Sequence, residues 1–130
     1  MSIRSAAAAA VSMVLAITLA GCAASVDSAP VVFVSAPGAD ITLTQAAEVA
    51  LATRYTRSLP QGSKWRKTGT VPQGSVYRPI DTVFTIEGRN VHEAYLVISA
   101  QRQLVGFYLP GESRLSPLLA PIPLSYKELP

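Results

Sequence analysis

The sequence predicts an α+β fold, in which one helix packs on a mainly antiparallel sheet of four to five strands. Three observations predict it. Residues 31–34 are a short β-branched and aromatic run, residues 42–57 are rich in alanine, and residues 82–109 alternate strand-like runs with turns. The whole chain has 130 residues, which is enough for one domain with one modest core.

A short strand and then the helix are expected at the start of the domain. The Val-Val-Phe-Val run at 31–34 favours a strand. Thr42 suits the N-cap of a helix, and Gln45 completes a capping box. The helix would end near Arg57 and be stopped by Pro60. Four positions at helical spacing form its packing face: Leu43, Ala47, Ala50 and Leu51.

A short internal repeat follows the predicted helix. Residues 59–66 and 71–78 both read apolar-Pro-Gln-Gly-Ser-x-aromatic-Arg. Proline at the second position and glycine at the fourth suit a type I turn. The repeat therefore predicts two similar turns within one sheet, each followed by a short strand.

The next segment predicts an antiparallel meander. Strands are expected over residues 82–87, 91–99 and 104–109, with turns between them. Strand 91–99 carries apolar side chains on both faces, which is typical of a central strand. Its core face is expected to hold four residues: His92, Ala94, Leu96 and Ile98.

From about residue 110 the chain becomes rich in proline and leucine. Prolines do not continue a helix or occupy a central strand, so the segment predicts an extended C-terminal tail. We expect the tail to wrap the domain. Docking on a partner protein is the alternative.

The N-terminus has the features of an export signal. Arg4 is its only charged side chain, and residues 6–20 are almost entirely apolar. Fifteen helical residues span roughly 23 Å at about 1.5 Å per residue. The bilayer core is about 30 Å thick, so this segment suits a signal peptide better than a permanent span.

The signal ends in Leu19-Ala20-Gly21-Cys22, which resembles the lipobox of bacterial lipoproteins. The resemblance implies that the Cys22 thiol receives diacylglycerol and that signal peptidase II cleaves between Gly21 and Cys22. The new α-amino group is then often acylated as well. The alternative is an ordinary secretory signal cut near Ala23 or Ala24, with Cys22 incidental.

The resemblance also implies a domain organisation and a location. Residues 1–21 are a cleaved signal peptide, residues 22–30 a lipidated cysteine and tether, and residues 31–130 a single periplasmic α+β domain. Ala23 stands where an aspartate tends to retain lipoproteins at the inner membrane, so we expect the outer membrane, facing the periplasm. Two or more acyl chains would hold the protein firmly.

The sequence carries no recognisable catalytic constellation. His92 is the sole histidine, and a zinc-binding His-Glu-x-x-His motif would need a second one at Leu96. No Gly-x-Ser-x-Gly elbow occurs, and the sole cysteine, Cys22, is expected to be lipidated. We therefore expect no enzyme activity, no catalytic residues, no cofactor and no metal site.

A basic segment lies between residues 49 and 80, where six arginines and lysines occur without a carboxylate. Such a segment with aromatic residues resembles a nucleic-acid surface, but an exported protein rarely meets nucleic acid. We expect a solvated basic face with Trp65 in the core, and the alternative is a surface that binds an anionic envelope ligand such as a glycolipid or peptidoglycan. The candidate ligand residues are Arg54, Arg57, Lys64, Trp65, Arg66, Lys67, Tyr77 and Arg78.

Two functions follow from these patterns. The leading hypothesis is a non-enzymatic interaction or accessory subunit of an envelope assembly, such as a secretion or conjugation apparatus. Its partners would be the membrane, through lipid on Cys22, and an envelope protein; no nucleic acid and no small-molecule substrate is indicated. The alternative is a binding module for an anionic envelope ligand.

Overall fold

The computed structural model describes residues 27–130, and these residues fold into antiparallel sheets. No helix occurs among them, so the predicted α+β class is wrong and the described chain is all-β. The strands are β1 (Ala29–Pro30), β2 (Val34–Ser35), β3 (Asp40–Leu43), β4 (Ala47–Ala50), β5 (Thr56–Leu59), β6 (Lys64–Val71), β7 (Gly74–Pro79), β8 (Thr85–Glu87), β9 (Val91–Glu93), β10 (Tyr95–Ile98), β11 (Gln103–Leu109), β12 (Arg114–Pro123) and β13 (Tyr126–Glu128).

One nine-stranded sheet forms most of the described chain, rather than the four to five strands expected. Its order is β1-β12-β11-β10-β7-β6-β3-β13, and β2 also pairs with β6. Only Leu124 and Ser125 separate β12, near one end of the sheet, from β13 at the other end. Three residue steps span at most about 11 Å. The sheet must therefore curl until its two ends approach each other.

A β-hairpin replaces the predicted helix. β4 and β5 pair antiparallel over four residue pairs, and the intervening turn places Arg54 at a φ of 71°. Val49 and Leu51 are buried while Glu48 is exposed, which is the two-residue alternation of a strand. The capping box does not form, because Thr42 lies in β3 and pairs with neighbours on both sides.

The two repeated turns are present, as the repeat predicts. In the first, the Ser63 amide donates to the Pro60 carbonyl at 3.2 Å, and Gly62 takes a φ of 84° that favours glycine. In the second, Pro72 and Gln73 join β6 to β7. The first turn differs from expectation in two respects. It begins at Pro60 rather than Leu59, which places Gly62 third with a positive φ as in a type II turn, and it links the separate β4–β5 hairpin to the main sheet.

The predicted meander is divided between two sheets. The expected strand 91–99 is interrupted at Ala94, whose amide donates to the Phe84 carbonyl at 2.9 Å. β9 pairs with β8 in a separate hairpin, whereas β10 lies between β7 and β11 in the main sheet. A change of partner at Ala94 therefore splits the longest predicted strand.

The proline-rich tail is part of the main sheet. β12 pairs with β11 along one edge. Leu118 also forms an isolated bridge with Leu51, and the pairing of β12 with β1 ends at Leu115. The prolines of β12 lie beyond this point, where the edge needs no amide donors. Leu118 and Leu124 are buried, so the tail packs on the domain.

Hydrophobic side chains fill both faces of the main sheet. Successive residues of a strand point to opposite faces, and β10 contributes Leu96 to one cluster and Val97 to another. We call the first cluster the inner core; it also receives side chains from both small hairpins. The second is the outer cluster, which consists of Val71, Val76, Val97, Tyr108 and Leu115.

The N-terminal segment covers the outer cluster, and we call residues 28–36 the strap. β1 and β2 pair with opposite parts of the sheet, and Val31 and Phe33 between them pack on the outer cluster. The Phe33 ring stacks on Tyr108 with centroids 5.0 Å apart. Residues 28–30, assigned to the tether from the sequence, thus already contact the sheet.

Candidate functional site

An open cavity of about 490 Å³ lies between the β4–β5 hairpin, the start of β6 and the loop that joins β7 to β8. Its walls include Arg57 from β5, Lys64 and Trp65 from β6, and Asp81 and Phe84 from the loop. Cavities of this size commonly hold small molecules. It therefore is the candidate functional site of the described residues.

The first repeated turn fixes one wall of this cavity. The Trp65 indole donates from Nε1 to the Ser63 hydroxyl at 3.0 Å, and that hydroxyl donates to the Pro60 carbonyl at 2.8 Å. Trp65 is only 2% exposed and packs edge to face on Phe84, with ring centroids 5.6 Å apart. The turn and the inner core together hold this wall in one arrangement.

Arg57 has an unusual environment in the cavity. Its guanidinium carbon lies 4.5 Å from the centroid of the Phe84 ring, a cation–π distance. Phe84 in turn stacks on Phe107 at 5.5 Å. The Nε atom of Arg57 is buried and has no hydrogen-bond partner among the described residues. Arg57 is therefore positioned by aromatic packing and keeps an unused donor.

Five of the eight predicted ligand residues do not line the cavity. Arg54 is exposed in the β4–β5 turn. Arg66 forms two hydrogen bonds with Asp40, at 2.8 and 3.0 Å, and lies opposite Arg78 across β6 and β7. On the same pair of strands Lys67 lies opposite Tyr77. The cavity is lined by only three of the eight candidates: Arg57, Lys64 and Trp65.

Two titratable groups near β6 have shifted pKa values with clear causes. The hydrogen bonds from Arg66 lower the pKa of Asp40, and the charges of Arg66 and Arg78 act in the same direction. Burial raises the pKa of Tyr77, and nearby Tyr126 and Glu128 raise it further. The Asp40 carboxylate therefore offsets the repulsion between the two facing arginines.

His92 contacts a carboxylate outside the cavity. Its Nδ1 atom lies 2.7 Å from Oε1 of Glu112, which ties β9 to the turn between β11 and β12. No serine hydroxyl among residues 27–130 hydrogen-bonds to this pair. Within the same range, no group of three or more side chains could hold a metal ion. The His92–Glu112 pair joins two elements and forms no triad.

Sequence reasoning missed Asp81 and Phe84 as cavity residues. Asp81 adopts a φ of 60°, a left-handed conformation that aspartate tolerates better than most residues. Its position after the second repeat is the only local signal. Phe84 reads as an ordinary strand residue in the sequence, and its contact with Arg57 joins distant parts of the chain.

The comparisons with known proteins add no relative. No family model matches the sequence, and no curated protein or solved structure matches it either. The predicted signal peptide, the predicted cleavage site and Cys22 lie outside the described residues. Within residues 27–130, no helix has the length and apolar character needed to cross a membrane.

Proposed function

We propose that the protein is a lipid-anchored component of the bacterial envelope that acts as a non-enzymatic accessory subunit through protein contacts. The observation that carries this proposal is the short connection between the lipobox cysteine and the sheet. Arg114 already holds Ser28, which is six positions after Cys22. Six residues reach at most roughly 21 Å. An anchor on Cys22 therefore keeps the sheet close to the membrane surface.

The strap supports the protein-contact part of the proposal. Its side chains alternate, with Val31 and Phe33 packed on the outer cluster and Val32 and Val34 exposed at 74% and 57%. Exposed valines beside a membrane anchor offer apolar contact area to a neighbouring envelope protein. The prolines of β12 leave its free edge without several amide donors, so a partner strand would pair poorly there. We therefore propose that a partner protein contacts the exposed side chains of the strap instead.

The anchor is tested by Cys22→Ser. This substitution should block lipid transfer and signal peptidase II cleavage, which leaves the precursor at full length. Metabolic labelling with a fatty acid and membrane fractionation would measure both effects. Normal maturation and membrane retention of Cys22→Ser would show that the anchor is wrong.

The protein contact is tested by photo-crosslinking in cells. A photoreactive residue at Val32 should trap a specific protein neighbour, whereas the same residue at Arg54, an exposed position on another element, should not. Equal labelling at both positions, or none at Val32 and Val34, would contradict the accessory role. The Cys22→Ser result does not depend on this outcome.

A further inference from the structure

The cavity has a feature that the accessory role does not use. The Arg57 side chain enters a protein wall with its Nε donor buried, and no described residue accepts a hydrogen bond from that atom. Burial of an unpaired donor on a charged group is unfavourable, and such groups are rare in native structures. Because this atom is not accessible from the open cavity, a ligand would bind the terminal N–H groups of Arg57 instead. Arg57 is therefore a cation that lines the cavity without an ion-pair partner among residues 27–130, and this is the first indication that the cavity has a ligand.

We propose that the cavity binds a small organic anion, in which one carboxylate or phosphate group is carried on a flat or apolar body. Arg57 and Lys64 face a single carboxylate, Asp81, among the charged residues of its walls. Neither cation forms an ion pair with another of residues 27–130. The lining therefore retains an excess positive charge for an anionic group. This inference goes beyond the accessory role and does not depend on it.

The guanidinium geometry defines how the anion would bind. The N–H groups of arginine lie in the plane of the guanidinium, and the guanidinium carbon of Arg57 lies over the Phe84 ring. An acceptor must therefore approach edge-on, where a carboxylate or phosphate can take two parallel hydrogen bonds. A lysine ammonium has no such plane. The site should accordingly distinguish arginine from lysine at position 57.

The remaining walls indicate the body of the ligand. Pro60, Ile80 and Val83 contribute accessible apolar area, whereas Trp65 and Phe84, which are only 2% and 6% exposed, contribute narrow aromatic surfaces. Small-molecule sites usually combine such apolar walls with a few polar groups that fix orientation. A bare inorganic anion would leave this apolar surface uncovered. The expected ligand is amphipathic.

Trp65 makes the proposal directly measurable. It is the only tryptophan of the chain and it lines the cavity, so its fluorescence reports on occupancy. Phenylacetate and phenyl phosphate should change the fluorescence of the membrane-purified protein saturably. Phenylethanol, which lacks the charge, and inorganic phosphate, which lacks the ring, should each bind at least about tenfold more weakly. The stronger of the two anionic probes identifies the anion as carboxylate or phosphate.

Variants of two arginines, one inside the cavity and one outside it, test whether the probe binds at Arg57. Arg57→Gln should weaken binding of the better probe at least about tenfold, and Arg57→Lys should not restore it. Arg54→Gln removes an exposed arginine from the same hairpin, outside the cavity, and should bind like the unmodified protein. Thermal unfolding checks that each variant is folded.

Three results would overturn the proposal. They are the absence of saturable binding of either anionic probe, equal binding by Arg57→Gln and Arg54→Gln, and equal binding of phenylethanol and phenylacetate. If Arg57→Gln does not fold, Lys64→Gln decides instead, because Lys64 is exposed and its loss should still weaken binding several-fold. Unchanged binding by Lys64→Gln would then count against the proposal.

Discussion

The inner core and the outer cluster occupy opposite faces of the same strands, but different numbers of elements shield them from solvent. Seventeen buried residues form the inner core, and the curled sheet and both small hairpins enclose them. Five form the outer cluster, and the strap covers them. The inner core is therefore enclosed by many elements, whereas the outer cluster depends on one short segment near the proposed membrane anchor.

This difference separates global from local stability. Loss of an inner-core side chain affects strands throughout the sheet and the aromatic stack that supports Arg57. Loss of a strap contact exposes a small apolar area and leaves the sheet pairing in place. Segments with few buried contacts open at lower free energies than the whole domain. We expect the strap to open before the sheet unfolds.

The largest effect should come from the inner core. Phe107 is completely buried and stacks on Phe84, so Phe107→Ala should lower the free energy of unfolding by about 3–5 kcal/mol. Denaturant unfolding measures the loss. A change below about 1 kcal/mol would show that the inner core is not the main source of stability.

A smaller effect is expected where the strap approaches the sheet most closely. A methyl group on Gly69 would collide with the Phe33 ring and lie 2.5 Å from the Val34 carbonyl oxygen. Gly69→Ala should therefore displace the strap and cost about 1–3 kcal/mol. Gly111→Ala is the control, because nothing lies within 4 Å of its added methyl group. Equal stabilities of the two variants would contradict the close approach.

Removal of the strap's aromatic ring should cost less again. Phe33 is partly exposed and stacks on Tyr108, so Phe33→Ala should cost about 1–2 kcal/mol. Hydrogen exchange should accelerate at the amides of Val31 and Ala36 but not in β10. Val32→Ala, at a side chain 74% exposed, should change stability by less than about 0.5 kcal/mol. Uniform acceleration across the sheet would show that the strap is not a separate unit.

The smallest effect concerns the exposed ion pair between Asp40 and Arg66. Because Arg66 lowers the pKa of Asp40 in the folded protein, the pair stabilises the fold above the ordinary aspartate pKa. That contribution is lost as the pH falls through the lowered folded value. Asp40→Asn should therefore be slightly less stable than the unmodified protein at neutral pH, and the difference should vanish in strong acid. A difference independent of pH would contradict an ionic origin.

Local signals predicted both turns, although the first begins one residue later than expected, and they predicted the helix wrongly. The turns follow from proline and glycine, whose backbone preferences act within four residues. The helix prediction used a capping box and alanines, but the same segment contains Val49, Thr53 and Tyr55, which favour strands. Burial of Val49 and Leu51 against distant strands decided the outcome. Such contacts override a weak intrinsic propensity.

The sequence predicted which basic residues line the candidate site, but it did not predict the cavity that they line. The basic segment includes Arg57 and Lys64, and the repeat marks Trp65, so these three residues are evident in the sequence. Phe84 and Asp81 reach the cavity only because the β7–β8 loop returns over β5. The ion pair between Arg66 and Asp40 likewise joins separate strands, so the sequence did not show that the charge of Arg66 is already paired.

The strap also determines where mechanical load would enter the domain. With the anchor on Cys22, tension between membrane and domain would arrive at Ser28, whose hydroxyl and carbonyl both accept hydrogen bonds from Arg114. The load would pass next into the β1–β12 pairing, on the edge of the sheet. The cavity is formed by other elements and would bear this tension last. Under the proposed anchoring, the strap would thus yield first while the cavity keeps its shape.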